Sequence, residues 1–213
     1  MDIIKSLEWR YATKKFDESK HLTIDQINLL KKAFNLTATS YGLQPLKLVV
    51  IQNKKLQQSL VKHSHNQRQV AQASHVLVIC IQNNLSESDI EEYFSLVKSI
   101  RNTPESLLNP FKNYLKTDFY SKSNAEIEQW MKNQAYIALG NLLTVAAIKK
   151  IDACPMEGFV PEEYNKLLEL GKRNLKATLV VPVGFRAEDC FMKDLKKVRK
   201  NIQDVVIDID ENS

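Results

Sequence analysis

Three apolar runs of strand length, set among segments with helical periodicity, predict an α+β or α/β layer in which helices cover a sheet. The runs are LKLVVIQN at 46–53, HVLVICIQ at 75–82 and KATLVVPVGF at 176–185. They are rich in β-branched residues and nearly free of charge, the pattern of buried strands. A fourth stretch, VVIDID at 205–210, is strand-like but short, and needs something to pair with. At 213 residues, 44% hydrophobic and 26% charged, the chain reads as one globular domain over 1–213.

The helices are marked by their caps. In TIDQINLLKKAFN, Thr23 and Gln26 form a capping box, and Ile27, Leu30 and Phe34 share a face. KKLQQSLVKH at 54–63 continues the helical pattern. Residues 86–118 predict two helical pieces joined by a bend, with Ser86 and Ser88 as caps and Pro104 and Pro110 as breaks. Ser123 with Glu126 opens a helix that runs to about Lys150. Its second half, AYIALGNLLTVAAI at 135–148, is apolar nearly all round, so it belongs in the core or against a partner subunit. Pro161 suits a first helical position before EEYNKLLEL, and Gly171 a left-handed C-cap. Pro182 removes a ladder donor, which places that part of its strand at an edge or an end.

Several chemistries lack their residues. Only five glycines are present, and neither a dinucleotide fingerprint, a P-loop nor a G-x-S-x-G elbow can be built from them. His63, His65 and His75 have no carboxylate or cysteine at ligand spacing, so no metal is expected. Cys80, Cys154 and Cys190 form an odd set without a C-x-x-C pair, which fits reduced thiols in the cytoplasm. The start, MDIIKSLEWR, has no run suited to a signal peptide, and nothing later reaches membrane-spanning length. A net charge of +5 suits a phosphate-bearing small molecule as well as nucleic acid.

Three stretches carry more. RYATKKF at 10–16 sets Arg10, Lys14 and Lys15 close together, which alone reads as a solvated helix end. ATSYGLQP at 38–45 has the turn residues Gly42 and Pro45, and CPMEGF follows at 154–159. With Lys197 and Arg199 in KKVRK, and with MDII, F-D-x-S-K, ASHVLVIC, Trp130-Met131 before Gln134, GNLL and VVPVG in the same order, the whole chain resembles the FMN-dependent nitroreductase family. The similarity is greatest to the bacterial oxygen-insensitive NAD(P)H nitroreductase and flavin reductase branch.

That resemblance implies an α/β/α sandwich with a central, mostly antiparallel sheet of four or five strands, in an intertwined homodimer. AYIALGNLLTVAAI becomes the interface helix and VVIDID a strand added to the partner's sheet. It implies FMN as cofactor and NAD(P)H as co-substrate, a ping-pong mechanism, and nitroaromatics, quinones or flavins as acceptors. Arg10, Lys197 and Arg199 would clamp the FMN phosphate by charge-assisted hydrogen bonds, and Lys14 would stabilise the reduced ring, leaving Lys15 to solvent. Pro155, Met156, Glu157 and Gly158 would lie at the reactive N5 edge, and Asn66 at the pyrimidine edge. Thr39, Ser40 and Gln44 would come from the second subunit. Tyr11 and Ala12 stand where the family has His and Ser, and Gln69 where it has Lys, so a hydroxyl and a cation at the cofactor are missing. Tyr41, Gly42 and His65 fall where substrates stack. No side-chain acid or base is required. Two other readings remain at this stage: a flavin-binding protein without turnover, and a basic nucleic-acid-binding module.

Overall fold

The computed structural model describes residues 2–209. In chain order its elements are α1 (Ile3–Trp9), α2 (Ile24–Asn35), β1 (Leu46–Ile51), α3 (Lys54–Leu60), α4 (Gln69–Gln72), β2 (His75–Gln82), α5 (Glu87–Arg101), α6 (Glu105–Tyr120), α7 (Asn124–Ile148), β3 (Asp152–Ala153), α8 (Pro161–Leu167) and β4 (Leu175–Gly184). The four strands form one antiparallel sheet in the order β1-β2-β4-β3.

Alternation along β2 builds two cores, one on each face. Leu77, Ile79 and Ile81 enter the core closed by α2, α5, α6 and α7. Val76, Val78 and Cys80 enter the one closed by α3, α4 and α8. β4 changes face midway: Leu175 and Ala177 lie in the second core, but Leu179, Val181 and Val183 in the first. A bulge makes this possible. Ile79 pairs with Leu179 and Cys80 with Ala177, so Thr178 is the extra residue and the parity shifts there.

Caps and strands fall where the residues place them. Thr23 and Gln26, and Ser123 and Glu126, form their boxes, while Ser86 heads α5 and donates its N–H to Asp89 Oδ2 at 2.7 Å. Ser88 lies inside α5 instead of capping it. Pro104 precedes α6 as a break, whereas Pro110 sits within that helix. The helix survives the lost donor because tertiary contacts hold it: Leu115 and Phe119 are buried, and Lys112 and Lys116 both pair with Glu91 of α5.

Gly171 is not the left-handed residue after α8. Glu169 takes that conformation (φ +50°), because the chain must turn early enough to bury Leu170. Pro182 lies in an inner strand, two residues from the end of β4. Beside it the short β3 asks only for its carbonyl, which accepts from the Cys154 N–H at 3.0 Å. α7 buries one face, including Met131, Ala135, Ala138 and Leu142, and leaves Tyr136 and Ile137 about half exposed. Of VVIDID, Asp210 lies outside the described residues. The rest forms no strand within this chain, and Ile207 and Ile209 are exposed.

Candidate functional site

β3 was not foreseen, and it organises the site. After α1 the chain runs along the end of the sheet, with the Thr13 N–H donating to the Ala153 carbonyl at 3.3 Å and the Asp17 N–H to the Phe185 carbonyl at 2.8 Å. Beneath this stretch Asp152, 4% exposed, accepts from Arg186 Nε at 2.7 Å, from the Arg186 N–H at 2.8 Å and from Thr13 Oγ1 at 3.4 Å. The Arg186 guanidinium lies 4.1 Å from the Trp9 ring centre and 4.4 Å from that of Tyr11. Tyr11 is therefore committed to packing. Burial, then the nearby Cys190 thiol, holds its hydroxyl ionisation well above the usual range. Ala12 forms a bridge with Ala153 and offers no side-chain donor.

This frame carries Arg10 and Lys14 past β3, and residues from the far end of the chain meet Arg10. The Lys197 ammonium donates to the Arg10 carbonyl. Burial, then the charge of Arg199, lowers the Arg10 ionisation, and burial, then Arg10 and Arg199, lowers that of Lys197. These three cations therefore disfavour one another. Together with Glu8, Trp9 and Tyr11 they border a concavity of about 440 Å³. Lys15 instead meets Asp189 at the surface.

Beside them lies the turn Cys154–Gly158. Lys14 Nζ and Gln69 Nε2 each approach Cys154 Sγ at 3.9 Å, and burial pushes the thiol ionisation up. Gln69 Nε2 also donates to Gln67 Oε1 at 2.8 Å, and Gln67 Nε2 to the Gly158 carbonyl at 2.9 Å. Met156 pairs with Val180 of β4 through both backbone groups, and the Phe159 N–H donates to the Glu157 carbonyl at 2.9 Å. The Glu157 and Gly158 N–H groups have no intramolecular acceptor among the described residues. A Cβ at Gly158 would stand 3.1 Å from Gln67 and 3.4 Å from His65, so both border the turn. Consecutive left-handed residues, His65 (φ +51°) and Asn66 (φ +58°), lead the chain past it.

The structure does not join ATSYGLQP to this group. Ser40 donates its N–H to Gln134 of α7 at 2.8 Å, Gln44 Nε2 donates to the Asn35 carbonyl at 2.8 Å, and Thr39 Oγ1 accepts from the Gln44 N–H at 3.2 Å. Tyr41 (φ +59°) stacks near Trp130 with ring centres 6.3 Å apart. Gly42 is needed where it is: its φ is +76°, and a Cβ there would stand 2.6 Å from the Tyr93 hydroxyl. Cys154, Asp152, Arg186 and Gln67 were missed as site residues. A lone buried cysteine reads as core, and only the alternation of Gln67 and Gln69 hinted at a shared direction.

The profile of the Nitroreductase family matches residues 7–185. A Staphylococcus epidermidis protein described as a candidate NAD(P)H nitroreductase is 30% identical over 96% of this chain and 95% of its own. Among solved structures, a nitroreductase-like protein of Streptococcus mutans superposes with a TM-score of 0.85 at 21% identity, covering 97% of this chain and 98% of the other. An Exiguobacterium sibiricum protein, described as a candidate nitroreductase and solved in complex with FMN, superposes with a TM-score of 0.82 at 16% identity over 97% of each chain. With its antiparallel sheet between two helical layers and its sequence match over most of its length, the chain belongs to the nitroreductase family.

Proposed function

We propose that the protein is an FMN-dependent oxidoreductase that uses NAD(P)H to reduce aromatic acceptors such as nitroaromatics, quinones or flavins. The observation that carries this reading is the meeting of Arg10, Lys197 and Arg199, like charges that disfavour one another, at one concavity. Three crowded cations disfavour one another, and a dianionic phosphate relieves that repulsion, so the donor set fits FMN. The alternative of a nucleic-acid surface is less favoured, because Lys197 bonds the Arg10 carbonyl and both border one concavity with Arg199 instead of spreading along an open face.

FMN, when bound, would supply the hydride chemistry, with donor and acceptor using the same face in turn. The chain's own task is positioning. Arg10, Lys197 and Arg199 would hold the phosphate, and Lys14 would supply a cation to the reduced ring. The free N–H groups of Glu157 and Gly158 are donors for the reactive edge, and Asn66 stands by for the pyrimidine side. His65 borders the acceptor space. Ala12 supplies no hydroxyl and Gln69 no charge, so phosphate binding and ring potential both rest on fewer groups than in the family pattern.

Thr39, Ser40, Tyr41, Gly42 and Gln44 reach the site only from a second copy. The half-exposed Tyr136 and Ile137 on α7 and the exposed Ile3 and Ile4 on α1 supply an apolar face for that dimer. β1 is a sheet edge open to a fifth strand, and VVIDI is an exposed segment suited to fill it in the partner. The three cysteines are free and buried, and no helix among the described residues is long and apolar enough to cross a membrane; we place the protein in the cytoplasm.

The test is the visible spectrum of the purified protein, followed by NADH and NADPH added separately without oxygen. Flavin bands that bleach with either donor support the reading and reveal the donor preference. A protein that stays colourless after incubation with FMN overturns it. Flavin bands that persist with both donors leave a flavin carrier instead of a reductase.

A further inference from the structure

The Cys154–Gly158 turn is bracketed at both ends by two glutamines from one short segment. Gln67 Nε2 bonds the Gly158 carbonyl at 2.9 Å, and Gln67 Oε1 accepts from Gln69 Nε2 at 2.8 Å. The same Gln69 amide nitrogen lies 3.9 Å from Cys154 Sγ. Gln69 is 5% exposed, so both its donors are used inside the protein, and its orientation dictates that of Gln67.

The consequence falls on one peptide. The Glu157 carbonyl accepts from the Phe159 N–H at 2.9 Å, and a planar trans peptide then sends the Gly158 N–H the opposite way. Glycine has the widest backbone freedom of any residue, so this direction persists only if the next peptide is held as well. Gln67 holds it through the Gly158 carbonyl.

We infer that Gln67 and Gln69 are positioning residues that aim the Gly158 N–H and thereby set the reduction potential of the bound flavin. The inference rests on the flavin reading given above. Neither glutamine needs to touch a reacting atom. An N–H aimed at a ring edge that gains negative charge on reduction favours the reduced form, so misdirecting it lowers the potential. Gln69, standing where the family resemblance expects a lysine, has given up a cation at the ring and orients Gln67 instead.

The experiment compares wild type with Gln67→Leu, Gln69→Leu and Gln69→Lys, each loaded with FMN. Gln67→Leu is expected to weaken FMN binding about tenfold, the worth of one hydrogen bond. It should also shift the potential to more negative values and lower kcat while leaving KM for the nicotinamide donor in place. Gln69→Leu should move all three the same way by less. Gln69→Lys still donates to Gln67 Oε1 and adds a charge, so its potential should rise above wild type. A purely structural role would change thermal stability and leave the potential alone. If Gln67→Leu does not fold, Gln67→Glu, which turns an oxygen toward the Gly158 carbonyl, takes its place with the same expectation. Folded variants at position 67 with wild-type affinity and potential would overturn the inference. Wild-type protein that binds no FMN would instead overturn the flavin reading beneath it.

Discussion

The two stretches that the family resemblance assigns to the cofactor are built in opposite ways. Around Arg10 and Gly158 the residues come from three distant parts of the sequence, crowd like charges together and leave two N–H groups without acceptors among the described residues. In the loop at 38–45 Ser40 and Gln44 are answered locally or by α7, and the cost is taken in the backbone, where Tyr41, Gly42 and Gln44 all have positive φ. Under the proposed function the first region would receive the cofactor and the second would keep a shape, as a site shared between two copies would require, since a wall presented to another subunit has to be rigid before it arrives.

The comparison can be broken at its foundations first. Asp152→Ala leaves the Arg186 guanidinium unpaired beneath the Arg10 stretch, and is expected to cost about 3 kcal/mol of stability by denaturant unfolding. FMN binding should weaken with it, because Thr13 loses an anchor. Arg10→Ala is expected to leave the fold intact and to weaken FMN about 100-fold in a fluorescence titration, the loss of a bidentate charged contact. An unchanged affinity would mean that the cation cluster serves something else. Gly42→Ala tests the loop: a forced left-handed alanine against the Tyr93 hydroxyl should cost about 1–3 kcal/mol, read by urea unfolding, with little effect on the phosphate clamp.

The smallest effect concerns the joint between the regions. Glu128 of α7 lies 2.7 Å from Lys132 and 2.7 Å from Lys176 of β4, and its carboxyl is held down to about 2 by those hydrogen bonds. A carboxyl lowered in the folded state stabilises above its ordinary value of 4.5, and that contribution is lost as pH falls toward 2. Unfolding measured from pH 6 to pH 3 should therefore fall more steeply in wild type than in Glu128→Gln. Equal slopes would show that α7 is fastened by its apolar face alone.

What could be read in the residues was whatever depends on near neighbours or on side-chain type. Thr23 with Gln26 and Ser123 with Glu126 mark helix starts because a cap needs only four residues to form. HVLVICIQ is a strand from His75 to Gln82 because covering on both faces demands an unbroken apolar run. Arg10, Lys14, Lys197 and Arg199 stood out only through the order of motifs along the whole chain, since RYATKKF alone reads as a solvated helix end.

Tertiary structure decided the rest. Pro110 stays helical and Gly171 yields its turn to Glu169 because burial of Leu115, Phe119 and Leu170 outweighs local preference. β3 is only Asp152 and Ala153, too short to carry a pattern, yet it sets where Arg10 and Lys14 lie. The bond from Gln67 to Gly158 spans 91 residues, and the approach of Lys14 to Cys154 spans 140. No local spacing encodes such a pair, because the chain's entropy separates it until the sheet has formed.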